Sequence, residues 1–171
     1  MIDLNSKTYL ILFLFFTPLI AFNQANSTYT LKILGVVQDG GLPHLGSDRI
    51  CCEDFEQNRY VTSIMLINNE TNESYLFDAS PDINKQLNFM GKGIKKNLKG
   101  IFLTHAHIGH YTGLMYFGRE ALNSKLMNVY AMPRMKKFLE QNGPWSQLVS
   151  LQNISITALS NNSMIEIDSS V

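Results

Sequence analysis

The segment Thr104-His105-Ala106-His107-Ile108-Gly109-His110-Tyr111-Thr112-Gly113 places three of the chain's four histidines within six positions. Gly100-Ile101-Phe102-Leu103, just before it, is a short apolar run with the pattern of a buried strand. Leu114-Met115-Tyr116-Phe117, just after it, opens a predicted helix that runs to about Asn123. Neutral imidazole is a common ligand for zinc and similar borderline metals. In His105-x-His107, alternate residues of an extended segment point the same way, so both rings can reach one ion. His110 lies one loop-turn further on and can serve that ion or a second one beside it. Gly109 and Gly113 permit the tight backbone turn this needs. A metal held in this way leaves coordination positions open for water and lowers the water's pKa to about 7. For one histidine a polar loop residue without metal is the better reading; three of them at the mouth of a strand favour the ion.

Outward from this segment, strands and helices interleave. Tyr29 to Val37, Val61 to Asn68 and Ser74 to Asp78 alternate and are rich in β-branched and aromatic residues, so they read as strands. The second and third form a hairpin across Asn68–Glu73. Ser80 and Pro81 suit the start of a helix over Pro81–Met90, which Gly91-Lys92-Gly93 ends. Lys95–Lys99 reads as a solvated basic loop. Met127–Met132 is a further strand, Pro133 opens a helix through Gln141, and Ile154–Leu159 is a strand. Trp145–Asn153 has no decisive pattern, and Met164–Ile167 is a candidate last strand. The order predicts an α/β architecture, a sheet covered by helices.

A chain of 171 residues suits one domain. With 45% apolar and 16% charged residues it can bury a core, and 14 basic against 14 acidic residues give no bias toward nucleic acid or an acidic membrane face. Lys7 precedes an apolar run from Tyr9 to Phe22, too short for a span of about 20 residues and suited to the core of an export signal. A cut after Ala25 gives a signal peptide at 1–25 and a mature portion at 26–171, or 171 − 25 = 146 residues. The expected location is periplasmic or extracellular, with membrane contact only through an uncleaved signal.

Thr104-His105-x-His107-x-Gly109-His110-x-x-Gly113 resembles the metallo-β-lactamase superfamily signature Thr-His-x-His-x-Asp-His-x-x-Gly. Leu76-Phe77-Asp78-Ala79-Ser80 is similar to that superfamily's strand before its first helix. Gln38–His44, Cys51-Cys52 and the histidine block together resemble the branch that includes pyrroloquinoline quinone biosynthesis protein B. The resemblance covers most of Leu31–Leu159. It implies an αββα sandwich with the metal site at one end of the paired sheets. It implies His105 and His107 on a first metal, His110 on a second, and Asp78 orienting a histidine by accepting its other ring proton. Zinc, or manganese or iron, is the implied cofactor, and metal-bound hydroxide the implied nucleophile.

Two departures stand out. Gly109 replaces the usual Asp, so the second metal site loses a charged ligand and one ion per site is expected. No histidine follows His110, and Asp168 is the sole aspartate after Asp82. The superfamily takes its remaining ligands from a second half, so the expectation is a sandwich truncated after its first half.

His44, Cys51 and Cys52 are candidates for a structural metal, although adjacent cysteines without C-x-x-C spacing are more simply free thiols. Asp39, Glu53, Asp54 and Glu56 read as solvated loop charges. The expected function is an exported metal-dependent hydrolase acting on an ester, lactone, amide or phosphodiester small molecule. The alternatives are a degenerate metal- or small-molecule-binding protein and a role in quinone-cofactor biosynthesis or carriage. Oligomeric state is not legible.

Overall fold

The structure, a computed structural model, describes residues 27–50 and 59–167. The expected leader, Cys51, Cys52 and Asp168 lie outside the described residues. Six strands form one sheet in chain order: β1 (Tyr29–Gly35), β2 (Ser63–Asn68), β3 (Ser74–Phe77), β4 (Leu98–Phe102), β5 (Met127–Ala131) and β6 (Ile154–Ala158). β1 and β3 run antiparallel to β2, whereas β3, β4, β5 and β6 are mutually parallel. The carboxyl ends of five strands, all but β2, therefore lie along one edge.

The pairing register explains the core. Met65, Leu76, Ile101, Val129 and Ile156 are successive partners across the sheet, and all are buried. Side chains alternate along a strand, so this row lies on one face. Helical segments cover that face: α1 (Ile83–Gln86), α2 (Ile94–Asn97), α3 (Pro133–Gln141) and α4 (Trp145–Ser150), with 3-10 turns at Asn88–Gly93, Ile108–His110 and Thr112–Phe117. They contribute Ile83, Leu114, Phe117, Leu139 and Leu148 to the same cluster. Fully burying such a side chain stabilises the fold by about 1.5–3 kcal/mol. On the opposite face Phe77, Phe102 and Tyr130 are partners in the next row. Their rings stack at 5.2 and 4.3 Å between centroids and stay half-buried.

Three helical expectations change. Pro81–Met90 is not one helix. Ser80 Oγ accepts the Asp82 N–H at 3.1 Å at its start, but Asp82 Oδ2 accepts the Val61 N–H at 3.1 Å and the regular helix is only Ile83–Gln86. The chain passes through a 3-10 stretch kinked at Gly91 (φ 49°) into α2, which takes in Lys95 and Lys96. The helix after the histidines also stops early, at Phe117, where Gly118 turns extended (ψ 174°). Ser124 Oγ then donates to the carbonyls of Phe117 and Asn153, folding 118–124 back against the start of β5. Residues 164–167 form no strand. The helix at Pro133–Gln141 has the expected limits; Met135 and Leu139, four apart, form its buried stripe. The undecided segment after it contains α4, with Trp145 and Leu148 buried.

Candidate metal centre

The sheet edge that collects the strand ends also collects the polar side chains. Asp78 follows β3, the histidine turn follows β4, and Asp39 sits in the turn after β1. Strand ends of an α/β sheet are where ligands usually bind.

Asp78 is the fixed point. Its φ of 68° lies in the left-handed region, which Asp tolerates better than most side chains. Its N–H donates to Phe102 O at 2.8 Å, and its own carbonyl accepts from Ser63 Oγ at 3.0 Å. The buried carboxylate accepts the Thr104 N–H at 2.8 Å, the Thr104 hydroxyl at 2.8 Å and the His110 Nδ1–H at 2.7 Å. One side chain thus sets where β4 ends and how the His110 ring is turned.

The donor accounting fixes a second ring. Thr104 Oγ1 spends its proton on Asp78, so at 2.9 Å from His105 Nδ1 it is the acceptor. His105 then carries its proton on Nδ1 and presents the lone pair of Nε2. The ring centroids of His105 and His110 are 3.9 Å apart, and those of His105 and His107 4.6 Å.

Asp39 meets these rings from the other side. Its Oδ1 is 2.9 Å from His110 Nε2, and its Oδ2 is 3.3 Å from His107 Nδ1. Burial alone would depress the His110 pKa, but Asp78 first and Asp39 second raise it above the ordinary histidine value. Burial alone would raise Asp39; the hydrogen bond and charge of His110, with the charge of His107, bring it below the ordinary carboxylate value.

Asp39, His105 and His110 each offer a ligand atom within 4.8 Å of the others. Two imidazoles and one carboxylate suit a borderline divalent ion, and a carboxylate behind a ligating imidazole is the usual support. The residues present therefore fit a metal. His107 stays at the rim with its side chain 74% exposed. The exposed His44 lies apart from this group, packed beside Gly40.

The residue missed by sequence reasoning is Asp39, read there as a solvated loop charge. The one available signal was Asp-Gly-Gly at the carboxyl end of a predicted strand. Beside the centre, Thr104, His105, Tyr111, Met132, Arg134 and Phe138 help to line an open groove of about 550 Å³. A second hollow, about 320 Å³ between α1 and the Thr112–Phe117 turn, lies away from these side chains. No helix among the described residues is long and apolar enough to cross a membrane.

Comparison with known structures supports the fold. Zinc-bound PqqB from Methylobacterium extorquens superposes with a TM-score of 0.67 at 19% identity, covering 81% of this chain and 51% of that one. A diphosphatase from the PhnP family gives 0.60 at 23% identity, covering 81% and 53%. The metallo-β-lactamase fold protein YhfI from Bacillus subtilis gives 0.54 at 13%, covering 82% and 49%. The chain thus spans about half the length of these structures and shares their fold. A search of curated proteins finds no match. The family model described as the beta-lactamase superfamily domain matches residues 73–171, more than half of the chain and all of its histidine turn. On that match, and with the mixed α/β fold and candidate metal centre in agreement, the chain belongs to the beta-lactamase superfamily.

Proposed function

We propose that this chain carries the metal-holding part of an exported metal-dependent hydrolase of small molecules. The observation that carries the reading is the convergence of Asp39, His105 and His110, with Asp78 fixing one ring, beside an open groove. A divalent ion bound there would activate a water molecule for attack on a carbonyl or phosphoryl centre.

The chain's own residues divide the remaining work. Asp78 keeps the proton of His110 on Nδ1 and so presents Nε2 toward the centre. Thr104 does the same for His105. Asp39 contributes negative charge that offsets part of a divalent ion's charge. The groove beside His105 is walled by Tyr111, Met132 and Phe138, which exclude water from an apolar substrate portion. Arg134 at the same groove suits an anionic group. Among esters, lactones, amides and phosphodiesters we rank phosphodiesters first for that reason. The likeness to PqqB is one of fold and does not raise a quinone-cofactor role above hydrolysis.

Export is part of the proposal and rests on the apolar run Tyr9–Phe22. The test is direct. Equilibrium dialysis against zinc, manganese and iron should show retained metal in the purified chain. A panel of aryl esters, lactones, amides and bis-aryl phosphodiesters should show chelator-sensitive turnover, greatest with the phosphodiesters. Absence of retained metal in the unaltered chain would sink the hydrolase reading.

A further inference from the structure

Position 109 has no side chain, and the space beside it is filled. A Cβ built on Gly109 would fall 2.7 Å from Asp39 Cα, 2.8 Å from Asp39 Cβ and 3.2 Å from Asp39 Cγ. Real Cβ atoms essentially never come within 3.0 Å of such neighbours, and here one of them is backbone. The turn after β1 can therefore lie where it does only because residue 109 is glycine. Gly109 itself is buried, so the contact is closed to solvent on its side.

What the turn brings there is a carboxylate. Asp39 Oδ1 reaches His110 Nε2 at 2.9 Å, and Oδ2 reaches toward His107 Nδ1 at 3.3 Å. Asp39 is also the one non-histidine member of the candidate ligand group.

We infer that Asp39 and Gly109 are a matched pair, in which Asp39 is the metal's carboxylate ligand delivered from the β1 turn and Gly109 is the opening that admits it. This rests on the metal reading above. It goes beyond it in giving Gly109 a positive role, as the opening without which the Asp39 carboxylate would not reach the centre. Any side chain at 109 pushes Asp39 off the centre, even though the carboxylate is still present in the chain. It follows that occupancy of the metal is coupled to the position of the Gln38–Ser47 turn.

The test uses the full chain with Zn²⁺ as the probe. Affinity is read by competition with a chromophoric chelator, and the ligand field by the visible spectrum of a Co²⁺ form. Asp39→Asn, nearly isosteric, and Gly109→Ala are each expected to weaken Zn²⁺ by at least about 10-fold, the loss that even supporting groups of a metal site can produce. Both are expected to alter the Co²⁺ spectrum. The double variant should be no weaker than the poorer single, because either change already removes the same carboxylate. Asp48→Asn, a carboxylate beyond the same turn, should leave affinity unchanged. Circular dichroism confirms folding, and Asp39→Asn keeps the test alone if Gly109→Ala fails to fold. Unchanged affinity and spectrum in Asp39→Asn, while His105→Ala and His110→Ala lose Zn²⁺, would keep the metal centre and overturn the pair. Losses that multiply in the double variant would also overturn it. An unaltered chain that binds no Zn²⁺ would overturn the metal reading, and the pair with it.

Discussion

The turn after β4 and the turn after β1 meet over the His110 ring, yet among the described residues only the first is fastened to the core. The histidine turn is tied at several points: Thr104 and His110 to the Asp78 carboxylate, the His110 carbonyl to the Ala79 N–H, and the Gly113 N–H to the Ala79 carbonyl. The β1 turn is clamped at its stem, where Val36 and Val37 donate to Tyr60 O and Thr62 donates to Val37 O. Beyond the stem its backbone bonds are local, Gly41 to Gln38 and Ser47 to His44. Among the described residues, Asp39 links that tip to the histidines. The candidate ligands on the fastened turn are preorganised by folding. The candidate ligand on the tip, Asp39, is placed by the pairs it makes. The first kind costs stability when broken, and the second kind costs affinity.

The largest expected effect breaks the fastened side. Asp78→Ala removes the acceptor of three bonds and places alanine at φ 68°. A loss of about 3–5 kcal/mol is expected, as for one partner removed from a buried charge pair. Denaturant midpoints measure it, and a loss under about 1 kcal/mol would show that the turn is held by something else.

Metal removal comes next and sharpens the contrast. At about 100 times its Kd, a divalent ion should stabilise the chain by about 2.7 kcal/mol. A chelator should reverse this in thermal melts. Amide hydrogen exchange should then rise across Gln38–Ser47 and hardly at all across Thr104–Gly113. Equal loss of protection in both turns would erase the distinction.

Thr104→Val probes the link within the fastened turn. It deletes the hydroxyl shared by Asp78 and His105 but keeps the backbone bond. About 1 kcal/mol of stability should go. Metal affinity should fall as well, because His105 loses the partner that fixes its tautomer. Unchanged affinity would show that the His105 ring needs no such partner.

The smallest expected change in stability belongs to Asp39→Asn. Its side chain is 33% exposed, so under about 1 kcal/mol is expected in the metal-free chain. A cost equal to that of Asp78→Ala would mean the β1 tip is part of the core after all.

Much of the fastened side was legible from sequence. The apolar run into Thr104 and the spacing of the histidines are local patterns, and local patterns follow strand and turn geometry; the aspartate after β3 came from the family resemblance. Pro133 at a first turn likewise marked the start of α3. The segment 81–97 was less legible, because Asp82 serves Val61, a residue 21 positions away, instead of capping its own helix. The grouping of ligands was not legible at all, since three histidines in one turn do not say which two share a partner.

Residues 104–113 by themselves determined the ancestry and the chemistry on offer, since imidazoles at that spacing after a strand are a local fact. Only the tertiary structure decided the acidic partner. Asp39 and His110 lie 71 positions apart, and no periodicity relates them. They meet because β1 and β4, with two strands between them, end on the same sheet edge, and because Gly109 leaves room for the Asp39 turn to reach the ring.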